Sequence, residues 1–150
     1  MKNLSVKRMT TSQEREVAID LRQKYFFDRA QVRDPYLWTF DDQEHVHLVL
    51  YQGSDIVGYA HVQLWPDARA AIRIIVVDEK FRKKGLGKTL LIACEKMIRE
   101  NGVRVLQAEA HPDSLLFYKS LGYFEMPFND PAGELTHPND IAVGKMLNLF

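Results

Sequence analysis

Seven residues, Arg82-Lys83-Lys84-Gly85-Leu86-Gly87-Lys88, place four cations and two glycines in one short stretch, and the chemistry such a stretch offers is phosphate binding. Glycine lets an anion approach the main chain closely. The first turn of a helix presents N–H groups with no partner inside the helix, together with the positive end of its dipole. Cationic side chains add long-range attraction. Upstream, Ala70 to Val77 is apolar except for Arg73, and downstream Leu86, Leu90, Ala93, Cys94 and Met97 share one helical stripe. The order is therefore buried strand, glycine turn, helix N-terminus, an arrangement suited to a pyrophosphate.

Spacing separates the phosphate-binding patterns that this stretch could follow. A dinucleotide fingerprint requires Gly-x-Gly-x-x-Gly, and Leu90 stands where its third glycine belongs. A Walker A loop requires glycine five positions before Gly87, where Arg82 stands. The pattern Arg/Gln-x-x-Gly-x-Gly/Ala is matched in full by Arg82 to Gly87. One helix and one strand later comes Phe117-Tyr118-Lys119-Ser120-Leu121-Gly122-Tyr123. With these two segments the chain resembles the GNAT superfamily of acyl-CoA-dependent N-acetyltransferases.

The resemblance implies an α/β fold of the α+β type, with a central mixed, mostly antiparallel sheet and helices on both faces, formed by residues 1–150 as a single domain. It implies acetyl-CoA as cosubstrate and direct attack by a primary amine, small molecule or peptide, in a ternary complex. Backbone groups of Ile75 and Val77 would meet the pantetheine arm. Arg82, Lys83, Lys84, Gly85, Leu86, Gly87 and Lys88 would cradle the pyrophosphate, mainly through main-chain N–H groups. Tyr118 would protonate the departing thiolate. Many members carry Asn seven residues before that tyrosine, where this chain has His111. The alternative is a non-catalytic acyl-CoA-binding module of the same fold, and a monomer and a homodimer are both compatible with the resemblance.

The reaction needs a neutral amine and a leaving thiolate that can be protonated. A thiol has a reference pKa near ~8.5 and tyrosine near ~10, so a positioned Tyr–OH can serve as acid at neutral pH. For the amine's proton, Glu109, His111, His137 and water all stay open. Cys94 lies on the apolar stripe and reads as a small hydrophobe. His45-x-His47 puts two imidazoles on one strand face, but no third ligand follows at useful spacing, so no metal is expected. Trp38 and Trp65 read as packing.

The elements that must position these groups follow from periodicity and turn chemistry. Leu4 to Met9 reads as a strand; Thr11-Ser12-Gln13-Glu14 has capping-box spacing and opens a helix through Val17, Leu21 and Tyr25. Residues 26–44 fit either two turns of helix or a loop. His45 to Tyr51 and Ile56 to Trp65 form a hairpin about Gln52-Gly53-Ser54-Asp55. Gly102 stops the strong helix, which Glu95 and Arg99 can brace as an i,i+4 pair. Val103 to Ala110 is a strand, Pro112 opens a short helix closed by Gly122, and strands follow at Tyr123 to Met126 and Ile141 to Leu147.

Composition bounds the rest. A chain of 150 residues that is 46% hydrophobic and 27% charged is one globular domain's worth. Basic and acidic residues balance at 20 each, so there is none of the overall surplus expected of a nucleic-acid binder. Residues 79–104 nevertheless carry net +5 and residues 105–150 net −4, which places a small anion on the first segment and could draw a cationic acceptor to the second. The longest strictly apolar run, Leu90 to Cys94, is far short of a membrane span. Met1-Lys2-Asn3-Leu4-Ser5 lacks the apolar core of a secretory signal, and a lone cysteine fits a reducing compartment, so the cytoplasm is expected.

Overall fold

Thr11 starts the first helix as its spacing requires. Glu14 N–H donates to Thr11 Oγ1 at 3.1 Å, and Thr11 N–H donates back to the Glu14 carboxylate at 3.1 Å. The helix, α1 (Ser12–Arg22), follows strand β1 (Leu4–Arg8) and buries Glu14, Ala18, Leu21 and Arg22. It continues as a π-helical turn, Gln23–Phe27, and after an irregular stretch a 3-10 turn forms at Leu37–Asp41. The segment that periodicity left open is thus neither a regular helix nor a plain loop. This computed structural model describes residues 3–147; the ends of the expected domain, and with them Met1 and Lys2 of the segment read as lacking a leader, lie outside the described residues.

Strands β2 (His45–Gln52) and β3 (Asp55–Leu64) are sheet neighbours joined by a two-residue turn at Gly53, φ 61°, and Ser54, so they run antiparallel. β4 (Arg69–Val77) follows within a four-residue connection, then α2 (Leu86–Glu100) and β5 (Val105–Ala110). A 3-10 turn with Pro112 at its start leads into α3 (Leu115–Ser120), then β6 (Phe124–Glu125) and β7 (Ile141–Met146). The seven strands form one mixed, mostly antiparallel sheet in the order β1-β2-β3-β4-β5-β7-β6, with β4 and β5 parallel. The β4–β5 register runs from Arg69↔Val105 to Ile72↔Ala108, and Ile75 and Val77 lie beyond it.

Two differences from the sequence reading have local causes. β5 begins at Val105 because Val103 is still bonded to the end of α2, its N–H donating to Ile98 O at 3.4 Å. β6 is only two residues long: Met126 N–H still donates to Ala142 O of β7 at 3.1 Å, but the carbonyls of Pro127 and Phe128 that follow are taken by the Gln107 and Arg69 side chains.

The chain divides into two compact units. The first comprises residues 3–62 and 74–94, and its core joins Ala18, Leu21, Val49, Tyr59, Ile74 and Val76. Fully buried aliphatic residues such as Leu48, Leu50 and Leu90 each contribute about 1.5–3 kcal/mol of hydrophobic stabilisation. The second comprises residues 63–73 and 95–147, with Trp65, Ala71 and Phe128 packed against Ala142. Within it, buried Gln107 donates to Pro127 O at 2.9 Å, and Arg69 donates to Phe128 O at 3.1 Å and to Asn129 O at 3.0 Å. Main-chain carbonyls of the long β6–β7 loop are thereby tied to strand side chains.

Candidate active site

The turn at 82–88 is built as its composition suggests. Lys83 (φ 67°) and Gly85 (φ 75°) both take the left-handed conformation just before the helix. The first intrahelical bond is Thr89 N–H to Gly85 O at 3.1 Å, so the N–H groups of Leu86, Gly87 and Lys88 precede the helical ladder. Leu86 anchors the turn from below at 3% exposure, while Lys83, Lys84, Gly85 and Lys88 face solvent. A Cβ built on Gly85 meets nothing within 4 Å, so the main chain there borders open space. N–H groups outside the ladder, flanked by exposed lysines, are an arrangement that fits a diphosphate.

Below the turn, β4 is buried on both faces as expected, with Ile74, Val76 and Val77 inside and Ile75 half-buried. Arg82 does more than supply charge. Its Nε donates to Val77 O at 2.8 Å, and its guanidinium stacks 4.8 Å from the Tyr25 ring. The Tyr25 hydroxyl donates to Asp78 Oδ1 at 2.7 Å and accepts from Glu79 N–H at 2.8 Å. Tyr25, from the π-helical turn after α1, therefore clamps both ends of the connection between β4 and the glycine turn. Its sequence signal was its place on the α1 stripe, which spoke only for packing.

In the second unit, Tyr118 lies on α3 at 5% exposure, edge-on to Phe117 at 5.4 Å and to Tyr123 at 5.3 Å. The Tyr123 hydroxyl donates to Glu95 Oε2 at 2.8 Å, and Lys145 Nζ donates to Glu95 Oε1 at 3.0 Å. Of the residues considered for the amine's proton, His111 Nδ1 accepts from Asp113 N–H at 3.1 Å and so caps the turn at Pro112. Glu109 is half-buried and accepts from His137 N–H at 3.3 Å, which brings those two segments together. Cys94 is buried at 1% exposure, the position of a small hydrophobe. Trp65 packs edge-on to Phe128, whereas Trp38, read as packing, stands 57% exposed.

The largest polar feature of the first unit went unread in the sequence. Arg22, 1% exposed, donates Nε to Asp34 Oδ2 at 2.5 Å and Nη2 to Asp34 Oδ1 at 3.2 Å. Its Nη1 lies 3.1 Å from the Tyr59 hydroxyl and 2.9 Å from His61 Nδ1. His61 Nε2 is 2.7 Å from His45 Nδ1, and His47 bridges the Tyr59 hydroxyl (2.6 Å) and Thr39 O (3.1 Å). Burial pushes the His47 imidazole down to about 4, with the Thr39 bond opposing and Arg22 reinforcing. Burial likewise pushes Tyr59 upward against the pull of Arg22, and Arg22 itself is held charged because the Asp34 and Tyr59 contacts outweigh its desolvation. Charged residues at Glu14 and Arg22, four positions either side of buried Ala18, were the available signal. Among the described residues no group of three or more His, Cys, Asp or Glu could hold a metal ion.

Comparison with known proteins accords with this geometry. The Bacillus subtilis protein BSU40680 is 26% identical over 125 residues, spanning 80% of this chain and 83% of that one. The ribosomal-protein-S18-alanine N-acetyltransferase from Escherichia coli shares the fold at a TM-score of 0.73 and 19% identity, covering 97% of this chain and 95% of that one. An aminoglycoside 6'-N-acetyltransferase complexed with coenzyme A does so at a TM-score of 0.78 and 13% identity, covering 96% and 97%. The model of the Acetyltransferase (GNAT) family matches residues 14–123, from the capping glutamate of α1 to the aromatic residue after α3. The chain belongs to that family, and with it to the acyltransferase enzymes.

Proposed function

We propose that the chain moves an acetyl group from acetyl-CoA to a primary amine by direct attack in a ternary complex, with residues 1–150 working as one acetyltransferase domain. The observation that carries this reading is the turn at 83–88, where N–H groups outside the helical ladder and solvent-facing lysines border open space. Leu86, Gly87 and Lys88 direct main-chain N–H groups at the pyrophosphate, and Lys83, Lys84 and Lys88 neutralise its charge. Ile75 and Val77 offer main-chain atoms to the pantetheine arm, with Arg82 bracing Val77. Acetyl-CoA supplies the activated acyl group and the thiolate leaving group. Tyr118 donates its hydroxyl proton to that thiolate. Two of the similar structures are named for amine acceptors, an alanine and an aminoglycoside, and this supports an amine here. The setting we propose is the cytoplasm, where the single buried thiol of Cys94 stays reduced.

Gly85→Glu tests the cofactor assignment. The new Cβ clashes with nothing, so the variant keeps its fold at a strain cost of about 1–2 kcal/mol for the left-handed conformation. Its carboxylate then occupies the phosphate position. Titration calorimetry should show coenzyme A affinity falling by roughly tenfold or more, about 1.4 kcal/mol. Unchanged affinity in the folded variant refutes the site. Acetyl-CoA consumption across a panel of primary amines tests the reaction, and binding without turnover on any of them would mark a cofactor-binding module.

A further inference from the structure

We infer that Trp65 and Arg73 form a carboxylate-binding site, plugged in the free protein by the side chain of Asp130; the inference stands apart from the acetyl-transfer reading. The indole of Trp65 is 8% exposed. Its Nε1 is buried without a hydrogen-bond partner, the one such side-chain atom among the described residues. Indole N–H is a donor only, and a buried donor without an acceptor carries its full desolvation cost. The corner that holds it therefore favours a ligand that brings an oxygen. Every group concerned lies in the second unit.

Charge gives the oxygen its class. Trp65 closes the end of β3, where its main-chain N–H donates to Arg69 O at 2.9 Å. Two guanidinium groups of β4 lie over its ring, Arg69 at 4.8 Å and Arg73 at 5.5 Å. Arg69 donates to Gln107 Oε1, Phe128 O and Asn129 O, all of them neutral acceptors. Arg73 donates Nε and Nη2 to Gln63 Oε1, at 2.9 and 2.7 Å, and Nη2 also to Asp130 Oδ2 at 3.2 Å. Of the groups that accept from these two cations, Asp130 alone is charged, and its hold on Arg73 is a single contact. The fork made by Nη1 and Nη2 is left half used. A carboxylate taken by both nitrogens is held more strongly than one taken by a single nitrogen.

Asp130 cannot complete the site because it is tied to its own turn. Its Oδ1 accepts from Ala132 N–H at 2.8 Å, and its carbonyl accepts from Gly133 N–H at 2.8 Å. Pro131, Ala132 and Gly133 face solvent, so the turn is an outward bend that carries one inward side chain. The chain is anchored on both sides of it. Arg69 holds the carbonyls of Phe128 and Asn129, and Glu109 accepts from His137 N–H at 3.3 Å. Between these anchors the turn's side-chain bond to the sheet is the Arg73–Asp130 pair. An untethered carboxylate that replaces Asp130 there preserves the charge balance, engages the whole Arg73 fork and is free to reach Trp65 Nε1. Arg73, 28% exposed where the Asp130 carboxylate is 4% exposed, gives the side of entry.

The test uses the intact protein labelled with 15N in its two tryptophans, whose indole signals Trp65→Phe tells apart. Sodium acetate is the probe, since it is the Asp130 side chain freed from the backbone, and sodium chloride at equal ionic strength is the control. Acetate should move the Trp65 indole N–H signal saturably, while the Trp38 signal stays in place and chloride moves neither. Asp130→Ala removes the competing carboxylate and should tighten acetate binding about tenfold or more. Asp130→Asn, which keeps the bond to Ala132 and drops the charge, should tighten it by a smaller factor and serves in its place where the alanine variant does not fold. Adding Arg73→Gln to either variant should weaken acetate roughly tenfold again, the worth of a hydrogen bond to a charged group. A Trp65 signal that acetate leaves unmoved overturns the inference, as does acetate affinity that neither Asp130 variant raises. Inorganic phosphate moving the signal as strongly as acetate overturns the assignment to carboxylates.

Discussion

Asp34→Asn removes one charge from the centre of the polar cluster while preserving its shape. In the wild type both partners are buried, and Asp34 takes two hydrogen bonds from Arg22 besides the Tyr36 N–H at 2.8 Å. The asparagine keeps one acceptor but turns an NH2 group toward the guanidinium, so Arg22 is left as a buried, uncompensated cation. Breaking such a pair costs about 3–5 kcal/mol. Against a domain stability of about 5–15 kcal/mol the protein still folds. At about 2–4 °C per kcal/mol for a chain of this size, Tm should fall by about 6–20 °C. Arg22→Met combined with Asp34→Leu separates charge from packing. It removes both ions together and should recover most of the loss, but not all. Without Arg22, His61 Nδ1 and the Tyr59 oxygen lack their donor, leaving a deficit of about 1–3 kcal/mol. Denaturant unfolding followed by circular dichroism reads all three proteins. A loss below about 1 kcal/mol in Asp34→Asn would refute the claim that Arg22 depends on Asp34 for its burial.

Three further outcomes are expected. Burial works to raise the pKa of Glu14, but N–H groups of Thr10 and Thr11, the Tyr51 hydroxyl and Lys7 more than offset it and hold it at about 2, below its ordinary 4.5; its contribution to stability is therefore complete above about 4.5 and is lost as pH falls toward 2, and in Glu14→Gln an acid titration of stability should be flatter across that window. Arg82→Lys keeps the charge but loses the donor to Val77 O and the stack on Tyr25; coenzyme A affinity should still drop, by about 3- to 10-fold, and unchanged affinity would reduce Arg82 to a surface cation. Tyr118→Phe should leave acetyl-CoA affinity near wild type and lower turnover by roughly 10²-fold, since thiolate is a tolerable leaving group, and wild-type turnover at every pH would make Tyr118 a packing residue.

The glycine turn proposed to hold the cofactor was legible as a turn because it is built from main-chain conformation. Gly85 is where the backbone turns left-handed and Leu86 is where the helix begins, and both leave marks in spacing that any reader of the sequence can find. The capping box at Thr11 and the hairpin at Gly53 were legible for the same reason. The polar cluster was not. Arg22, Asp34, Tyr59 and His61 come from a helix, a loop and a strand up to 39 positions apart, and no local period links them. Only the misplaced charge of Arg22 on an apolar stripe hinted at it. His45 and His47 were read as one strand face, which the contacts to His61 and Tyr59 bear out, but those two partners lie on the next strand. Residues 26–44 resisted because a π-helical turn and a 3-10 turn follow neither the helical nor the extended period.

The same contrast explains how one fold can persist at 13–19% identity. A pyrophosphate bound through main-chain N–H groups asks almost nothing of side chains, since every residue except proline carries the donor. Selection then falls on conformation, at the few positions where the chain must turn. Lys83 illustrates the exception: it takes φ 67° without being glycine, a strain of about 1–2 kcal/mol. The gain is an exposed cation beside the glycine turn, which glycine would not supply. On the acceptor side the demand is reversed, because discrimination between amines needs particular side chains in fixed orientations. The Arg22 cluster is a part of the chain where side chains are held that way, with Asp34, Tyr59 and His61 all in contact with one buried guanidinium. Substitutions within the Arg22 cluster should therefore couple rather than add, while the glycine turn can stay as it is.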